Sequence, residues 1–310
     1  MISVIICTFN RAQSLLRVLQ SLEAMTIPPD LSWEVIVVDN NSRDETRETV
    51  ANFAKTSRLN VGYVFEGNQG LNSARNRGVH EALGDILSFL DDDVVVAQDW
   101  LREVQTAFST FPVVCVGGRV LLVQELPKPE WWDDAYDGAL GKFDMGEMIF
   151  LPDESYTSII GIGANLSFKR LTFDKYGLFR PDLDRRGRKL FMGGEVEFYE
   201  RLKEGRERTM YYPQAVVYHC PGMERLTRQY LRRWYFRIGE WSVLRENSQA
   251  AEVVATVFGI PRWKYRVAMH HVLKAIGFAL NLRHAEAFFY QLQCISFLGY
   301  FWGSMKHLSK

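Results

Sequence analysis

The sequence predicts an α/β fold with a mostly parallel, doubly wound central sheet, extended at its C-terminal end by helices. Three observations carry that reading. Hydrophobic residues make up 47% of the 310-residue chain and charged residues 24%, the composition of a packed globular protein. Short apolar, β-branched runs alternate with amphipathic helical stretches in units of roughly thirty residues, the pattern of parallel strands joined by crossover helices. Three of those runs stop at polar clusters, and in such sheets ligands sit beyond the carboxyl ends of the strands.

Residues 2–7 form the first run, closed by Asn10 and Arg11. Residues 13–25 follow as a helix with Leu15, Leu16, Val18, Leu19 and Leu22 on one face. WEVIVV at 33–38 is the second strand, and Asp39, Asn40, Asn41 and Ser42 make a turn whose Ser42 caps the next helix. A helix at 46–53, a strand at 61–65, a helix at 72–83 and a strand at 86–90 continue the alternation, the last strand stopping at three aspartates. Residues 113–124 hold one or two further strands. Residues 125–153, rich in Pro, Gly, Asp and aromatics, read as a long loop or lid. Residues 161–168 lead into a helix at 171–176, then come a helix at 195–203 and a short strand at 215–218. From residue 224 the chain is helical and basic, so the domains are placed at 1–223 and 224–310.

The net charge is zero, with 37 basic and 37 acidic residues, but the balance hides a gradient. Residues 1–150 carry 12 basic and 22 acidic side chains, and residues 201–310 carry 17 and 7. The C-terminal third is therefore expected to meet something anionic. Cys7, Cys115, Cys220 and Cys294 lie far apart without a C-x-x-C pair, which reads as reduced thiols in a cytoplasmic protein. The apolar N-terminus lacks a basic n-region, so no cleavable signal is expected. Residues 287–303 are uncharged but include Gln291, Gln293 and Ser296, a borderline between a buried helix and a membrane-surface helix.

Asp91, Asp92 and Asp93 follow directly on a buried strand. Three adjacent carboxylates repel one another, and desolvation raises the cost unless a positive charge sits among them. Mg²⁺ or Mn²⁺ meets that need, taking carboxylate, phosphate and water oxygens. The plainer alternative is a solvated acidic turn, and the polar ends of two other strands nearby favour the metal. Asp39 ends its strand where an acid accepts hydrogen bonds from a ribose or base. Arg75 and Arg77 lie near the start of a helix after Gly70, where backbone N–H groups and an arginine make an anion site.

SVIICTFNR, EVIVVDNNSRDET, NQGLNSARNRGV, ILSFLDDDVVVAQDWL, GANLSFKR and GGEVEFYERL stand in an order that resembles family 2 glycosyltransferases of the GT-A (Rossmann-like) fold. The likeness covers residues 2–220. It implies an inverting transferase that uses a nucleotide-diphosphate sugar, a UDP-sugar by default, with Mn²⁺ or Mg²⁺. It also implies a carbohydrate or lipid-linked hydroxyl acceptor, in cell-surface polysaccharide or glycolipid assembly. Thr8, Phe9, Asn10 and Asp39 match the family's nucleotide-contacting positions, with Arg11 beside them, and Arg75 stands in its arginine slot. Asp91–Asp93 match the D-x-D signature, which makes Asp93 the metal ligand and puts Asp91 and Asp92 on the donor. Gly163, Ala164 and Asn165 match a segment lining the acceptor side. Family members commonly read G-E-D-x-E-[LF] at the catalytic base. Here Gly193, Gly194, Glu195, Val196, Glu197 and Phe198 stand there, which makes Glu195 the base and leaves Gly194 where a glutamate is usual. Glu197 lies about 200° around a helix from Glu195, so the two cannot share one face. His219, after the strand at 215–218, is either structural or, as in several GT-A enzymes, a further metal ligand.

Arg225, Arg228, Arg232, Arg233 and Arg237 interleave with Tyr230, Leu231, Trp234, Tyr235 and Phe236. With the aromatics at 288–302 they fit either a membrane surface, which would hold the protein at the inner face of the cell membrane, or a second subunit. Tyr230 stands where the Q-x-x-R-W element of processive synthases wants glutamine, so polymerisation is not supported. A sugar nucleotidyltransferase would want a Gly-rich loop after the first strand, where CTFNRAQ has no glycine. A dehydrogenase fails for lack of G-x-G-x-x-G. A non-enzymatic scaffold binding anions or nucleic acid through the basic third remains as the alternative of a different class, and no nucleic-acid partner is expected.

Overall fold

The structure is a computed structural model and describes residues 1–124, 126–152, 159–183, 194–248 and 256–308. Gly193 of the expected base motif lies outside these residues, as do Glu125 and Asp153 at the edges of the expected loop. The chain divides into two compact units, one of residues 1–126 and 141–221, the other of 127–140 and 222–310. The segment at 125–153 is thus divided between them.

The first unit is built on an eight-stranded mixed sheet. Its elements are β1 (Ile2–Thr8), α1 (Ala12–Glu23), β2 (Trp33–Asp39), α2 (Thr46–Thr56), β3 (Val61–Phe65), α3 (Leu71–Glu81), β4 (Ile86–Asp91), β5 (Val94–Val96), α4 (Trp100–Thr110), β6 (Cys115–Leu122), β7 (Asn165–Lys169), α5 (Leu171–Tyr176), α6 (Gly194–Glu204) and β8 (Thr209–His219). The strand order is β3-β2-β1-β4-β7-β6-β8-β5. β1 runs parallel to β2 and β4, β2 to β3 and β6 to β8, while β7 and β5 pair antiparallel to their neighbours. Two apolar layers cover the sheet. One packs Leu15, Leu19 and Leu22 of α1 and Trp100, Leu101 and Val104 of α4 against it. The other packs Val79 of α3 and Phe198 of α6 against Phe89 and Phe168.

The β8 strand is longer than the sequence pattern suggests, beginning at Thr209 rather than 215. Pro213 hides it. The pairing of β6 with β8 jumps from Gly118↔Tyr212 to Arg119↔Val216, so Pro213 sits in the irregular stretch where no ladder N–H is needed. The helix after β2 also starts differently: Ser42 does not cap α2. Its hydroxyl accepts from the Asn10 backbone N–H at 2.9 Å. Asp44 serves both helices instead, accepting from the Ala12 N–H at 3.0 Å at the start of α1 and from the Thr46 N–H at 3.2 Å at the start of α2.

Among the described residues the second unit holds 3₁₀ turns at Asp134–Leu140 and Met223–Arg225, a two-stranded hairpin at Thr256–Val257 and Ile260–Pro261, and the helices α7 (Arg228–Ser248), α8 (Arg262–Leu280) and α9 (His284–Leu308). Tyr136, Ala139, Leu231, Phe288 and Leu292 form its apolar centre. Two of the arginines expected to face outward are drawn onto rings: Arg228 lies 5.1 Å from the centroids of Trp131 and Phe288, and Arg232 lies 5.4 Å from that of Phe288. Arg237 pairs with Glu240 on its own helix. No helix among the described residues is long and apolar enough to cross a membrane, the uncharged stretch at 287–303 included.

Candidate active site

The register of the sheet brings the polar strand ends into line. Thr8 pairs with Asp39 across β1 and β2, and Cys7 with Asp91 across β1 and β4. β5 adds His219, because its antiparallel pairing places Val94 opposite that residue. The Cys220 N–H donates to the Asp93 carbonyl at 2.7 Å and fixes the crossing. One ligand atom each from Asp91, Asp93 and His219 falls within 4.8 Å of the others. His219 Nε2 is 3.1 Å from Asp93 Oδ1, and both side chains are buried.

Charge in this cluster is unevenly matched. Arg11, just ahead of α1, reaches Asp92 Oδ1 at 3.0 Å and Asp93 Oδ2 at 2.6 Å. Thr8 Oγ1 donates to Asp92 Oδ2 at 2.8 Å. Burial pushes the Asp92 carboxyl up to about 6 against the pull of Arg11 and Thr8, with Asp93 adding to the rise. Asp91 is also raised, by burial first and then by Asp93, while Arg75 and His219 pull it back. Burial alone would lower the Arg11 guanidinium, but Asp92 and Asp93 outweigh it and raise it. Arg11 thus answers Asp92 and Asp93 while Asp91 feels only the Arg75 that Glu195 also engages, and His219 Nδ1 is buried with no hydrogen-bond partner among the described residues. Two carboxylates and an imidazole with spare negative charge are a donor set that fits a divalent cation.

Asp39 is positioned tightly, its Oδ1 accepting from the Ser42 N–H at 2.9 Å and its Oδ2 from the Tyr63 hydroxyl at 2.7 Å. Burial and that bond push the Tyr63 phenol up to about 12. Phe9 is 41% exposed beside it. Asn10 takes a positive φ of 53° and accepts from the Arg43 N–H at 2.7 Å, which ties the end of β1 to the end of β2.

Glu195 is set by α6. Phe198 and Leu202, four residues apart on one helical face, are fully buried. Phe198 packs among Phe168, Phe173 and Phe179 with ring centroids 5.0–5.3 Å away. Glu195, one turn back, meets Arg75 of α3: its Oε1 lies 2.8 Å from Arg75 Nη2, and Arg75 is 3% exposed. A Cβ at Gly163 would collide with that guanidinium and with the Glu195 carboxylate, so a larger residue there would push the pair aside. Gly194 has a similar cause, since a Cβ there would lie 2.6 Å from the Asn72 amide, whose nitrogen donates to the Arg180 carbonyl at 2.8 Å. Glu197 faces elsewhere and pairs with Arg201 at 2.8 Å.

Asn165, at the start of β7, pairs with Leu90, the residue before Asp91. It is 1% exposed, and its side chain is spent inside the sheet. Oδ1 accepts from Trp100 Nε1 at 2.9 Å, and Nδ2 donates to the carbonyls of Ala215 at 2.7 Å and Arg119 at 3.1 Å. Two relations escaped the sequence reading. Arg11 is the counter-ion of Asp92 and Asp93, and Arg75 is the partner of Glu195. Only the unusual density of aspartates hinted that a cation had to be close.

The match to known proteins falls on this framework. The family model described as glycosyl transferase family 2 matches residues 3–177, more than half of the chain. The chain belongs to glycosyl transferase family 2. This glycosyltransferase is 27% identical over 222 residues to a glucosyl-dolichyl phosphate glucuronosyltransferase of Haloferax volcanii, covering 70% of this chain and 68% of that one. It is 26% identical over 236 residues to the succinoglycan biosynthesis protein ExoM of Rhizobium meliloti, covering 76% and 72% of the two chains. Among solved structures, the mannosyltransferase PcManGT of Pyrobaculum calidifontis, in complex with GDP-Man and Mn²⁺, superposes with a TM-score of 0.58. That alignment covers 81% of this chain and 65% of the other at 22% identity, a likeness of GT-A fold.

Proposed function

We propose that this glycosyltransferase moves a sugar from a nucleotide-diphosphate donor, a UDP-sugar by default, to a hydroxyl of a carbohydrate or lipid-linked acceptor, with inversion. The observation that carries the reading is the pairing of two acidic centres of different kinds. Asp91, Asp93 and His219 make a cation-binding cluster, and Glu195 stands apart from it on α6, held by a buried arginine. Asp39, Thr8, Phe9 and Asn10, at adjoining strand ends, take the nucleoside. The relatives named for dolichyl phosphate and succinoglycan support an acceptor of glycolipid or polysaccharide type; the place of its use is, in this proposal, the cytoplasmic face of the membrane.

Asp91, Asp93 and His219 would hold Mn²⁺ or Mg²⁺, the imidazole favouring Mn²⁺ because hard Mg²⁺ prefers oxygen. When bound, that ion offsets the charge of the diphosphate as the bond to the sugar breaks. Glu195 removes the proton from the acceptor hydroxyl. The acceptor oxygen bonds to the anomeric carbon while the carbon–oxygen bond to the diphosphate breaks on the opposite face, so the configuration inverts. Arg75 aims the Glu195 carboxylate through their 2.8 Å pair, and α6 keeps its position because Phe198 is locked among aromatic rings.

Glu195→Gln keeps the shape and removes the basicity. Donor binding measured by calorimetry should persist while transfer falls by roughly 10²–10⁴, the usual contribution of a general base. Glu197→Gln should transfer at nearly the native rate, since Glu197 is turned to Arg201 on its own helix. The reverse outcome would move the base two residues along α6.

A further inference from the structure

We propose that α8 is a membrane-docking helix that lies flat on an anionic phospholipid surface. The proposal stands on this helix alone and does not rest on the transferase reading. Over nineteen residues, from Arg262 to Leu280, α8 has no buried residue. It is not a polar helix for which such exposure would be ordinary. Met269, Leu273, Ile276 and Leu280 are 60%, 63%, 53% and 79% exposed. Their spacing of i, i+4, i+7 and i+11 puts them on one stripe. Val272, 39% exposed, widens that stripe, and Leu282, just beyond the helix, is 76% exposed.

The charge pattern beside this stripe decides the occupant. Arg266, His270 and Lys274 follow one another at intervals of four, a basic row flanking the apolar one, with Trp263 and Val267 along the same side at 47% and 42% exposure. Arg262 adds to it, whereas Lys264 is held over the Tyr300 ring and Arg283 pairs with Glu286; no Asp or Glu occurs within α8 itself. The opposite side of α8 is taken up by α9, where His271 and Phe278 both meet the ring of Tyr290. The helix is thus anchored along one side and open along the other.

A second copy of the chain would bring an identical basic row to a two-fold interface, with no acid on α8 to answer it. A lipid surface answers both rows together: acyl chains take the apolar stripe, and anionic headgroups take Arg266 and Lys274. The arginine–aromatic stretch of α7 is a weaker candidate for this surface, because Leu231 is buried and Arg228 and Arg232 are held on rings within their own unit.

The test is flotation of the full chain with vesicles of phosphatidylcholine alone and of phosphatidylcholine with 30% phosphatidylglycerol, a fraction on the order of that used to mimic an anionic leaflet. The native protein should float with the anionic vesicles and at least tenfold less with the neutral ones. Each basic residue is worth roughly a fivefold change in partition. Arg266→Glu combined with Lys274→Glu should therefore lower binding to anionic vesicles by more than about twenty-fold. Leu273→Glu combined with Ile276→Glu should abolish flotation on both, with the circular dichroism spectrum unchanged because both positions face solvent. Arg233→Glu on α7 should lose no more than about fivefold, the share of a single charge. Native-level flotation of the α8 variants, or failure of the native chain to float with either vesicle, overturns the proposal. So does a lipid-free dimer, seen by sedimentation, that Leu273→Glu dissolves, since α8 would then be a subunit interface.

Discussion

Asp93 is asked to do three things at once. It faces His219, accepts from Arg11, and through its backbone carbonyl holds Cys220 at the end of β8. Asp93→Ala removes the carboxylate and leaves the backbone bond, so the sheet should persist while the cation loses a ligand. Calorimetric titration with UDP and Mn²⁺ should show the metal-dependent part of the affinity gone, with the far-ultraviolet dichroism unchanged. Asn165 gives the opposite outcome. Asn165→Ala would strand the Trp100 indole N–H and two carbonyls in a site that is 1% exposed. Each unsatisfied group costs about 1–3 kcal/mol, partly relieved by relaxation, so a loss on the order of 3 kcal/mol in urea unfolding is expected. Nucleotide affinity should hardly change where the variant remains folded. The family resemblance put Asn165 on the acceptor side because a motif aligns residues along the chain, whereas the packing of Trp100 shows what its amide holds in the sheet.

Elements differ in how openly the sequence displays them. β1, β2 and β4 were legible because each is buried on both faces and so reads as an apolar run, interrupted only by Ser3, Glu34 and Ser88, that ends in polar residues. β8 was half legible, since Pro213 breaks the run where the register shifts. The meeting of Asp93 with His219 was not legible from periodicity at all, because it depends on an antiparallel pairing across more than a hundred residues. The approach of α7 to α9 was equally hidden, although its cause is a pair of glycines. A Cβ at Gly239 would overlap the Ser296 carbonyl oxygen, and one at Gly299 would overlap that of Phe236. In both cases the obstacle is backbone, which cannot turn aside as a side chain would. Gly239→Val should therefore push the two helices apart and cost more than about 2 kcal/mol, as overpacking of a close contact does. Faster proteolysis within residues 284–308 and a lower urea midpoint would register it. Gly277→Ala on α8, where nothing lies within 4 Å of the added Cβ, should instead be neutral or slightly stabilising.

For the whole molecule, the gradient of charge and the division into two units bear on how binding is distributed. The first 150 residues hold 22 acidic against 12 basic side chains, and the Asp91–Asp93 cluster concentrates that excess where burial already raises Asp91 and Asp92. A divalent cation with a nucleoside diphosphate relieves repulsion only in that unit. The apolar clusters of the second unit, around Leu231 and Phe288 and around Val243 and Tyr300, share no residue with those flanking the sheet. At a ligand concentration 100 times the dissociation constant, binding stabilises the folded form by about 2.7 kcal/mol, close to a hundredfold in the opening equilibrium. Amides of β1, β4 and β8 that exchange through unfolding of their unit should slow by roughly that factor when UDP and Mn²⁺ are added together. Those of α8 and α9 should exchange at unchanged rates, and a chelator should return β1, β4 and β8 to the ligand-free pattern. Hydrogen exchange followed by mass spectrometry reads both regions in one sample. Equal slowing in the two units would mean that they unfold as one body, and slowing without Mn²⁺ would mean that Arg11 alone answers the charge of the diphosphate.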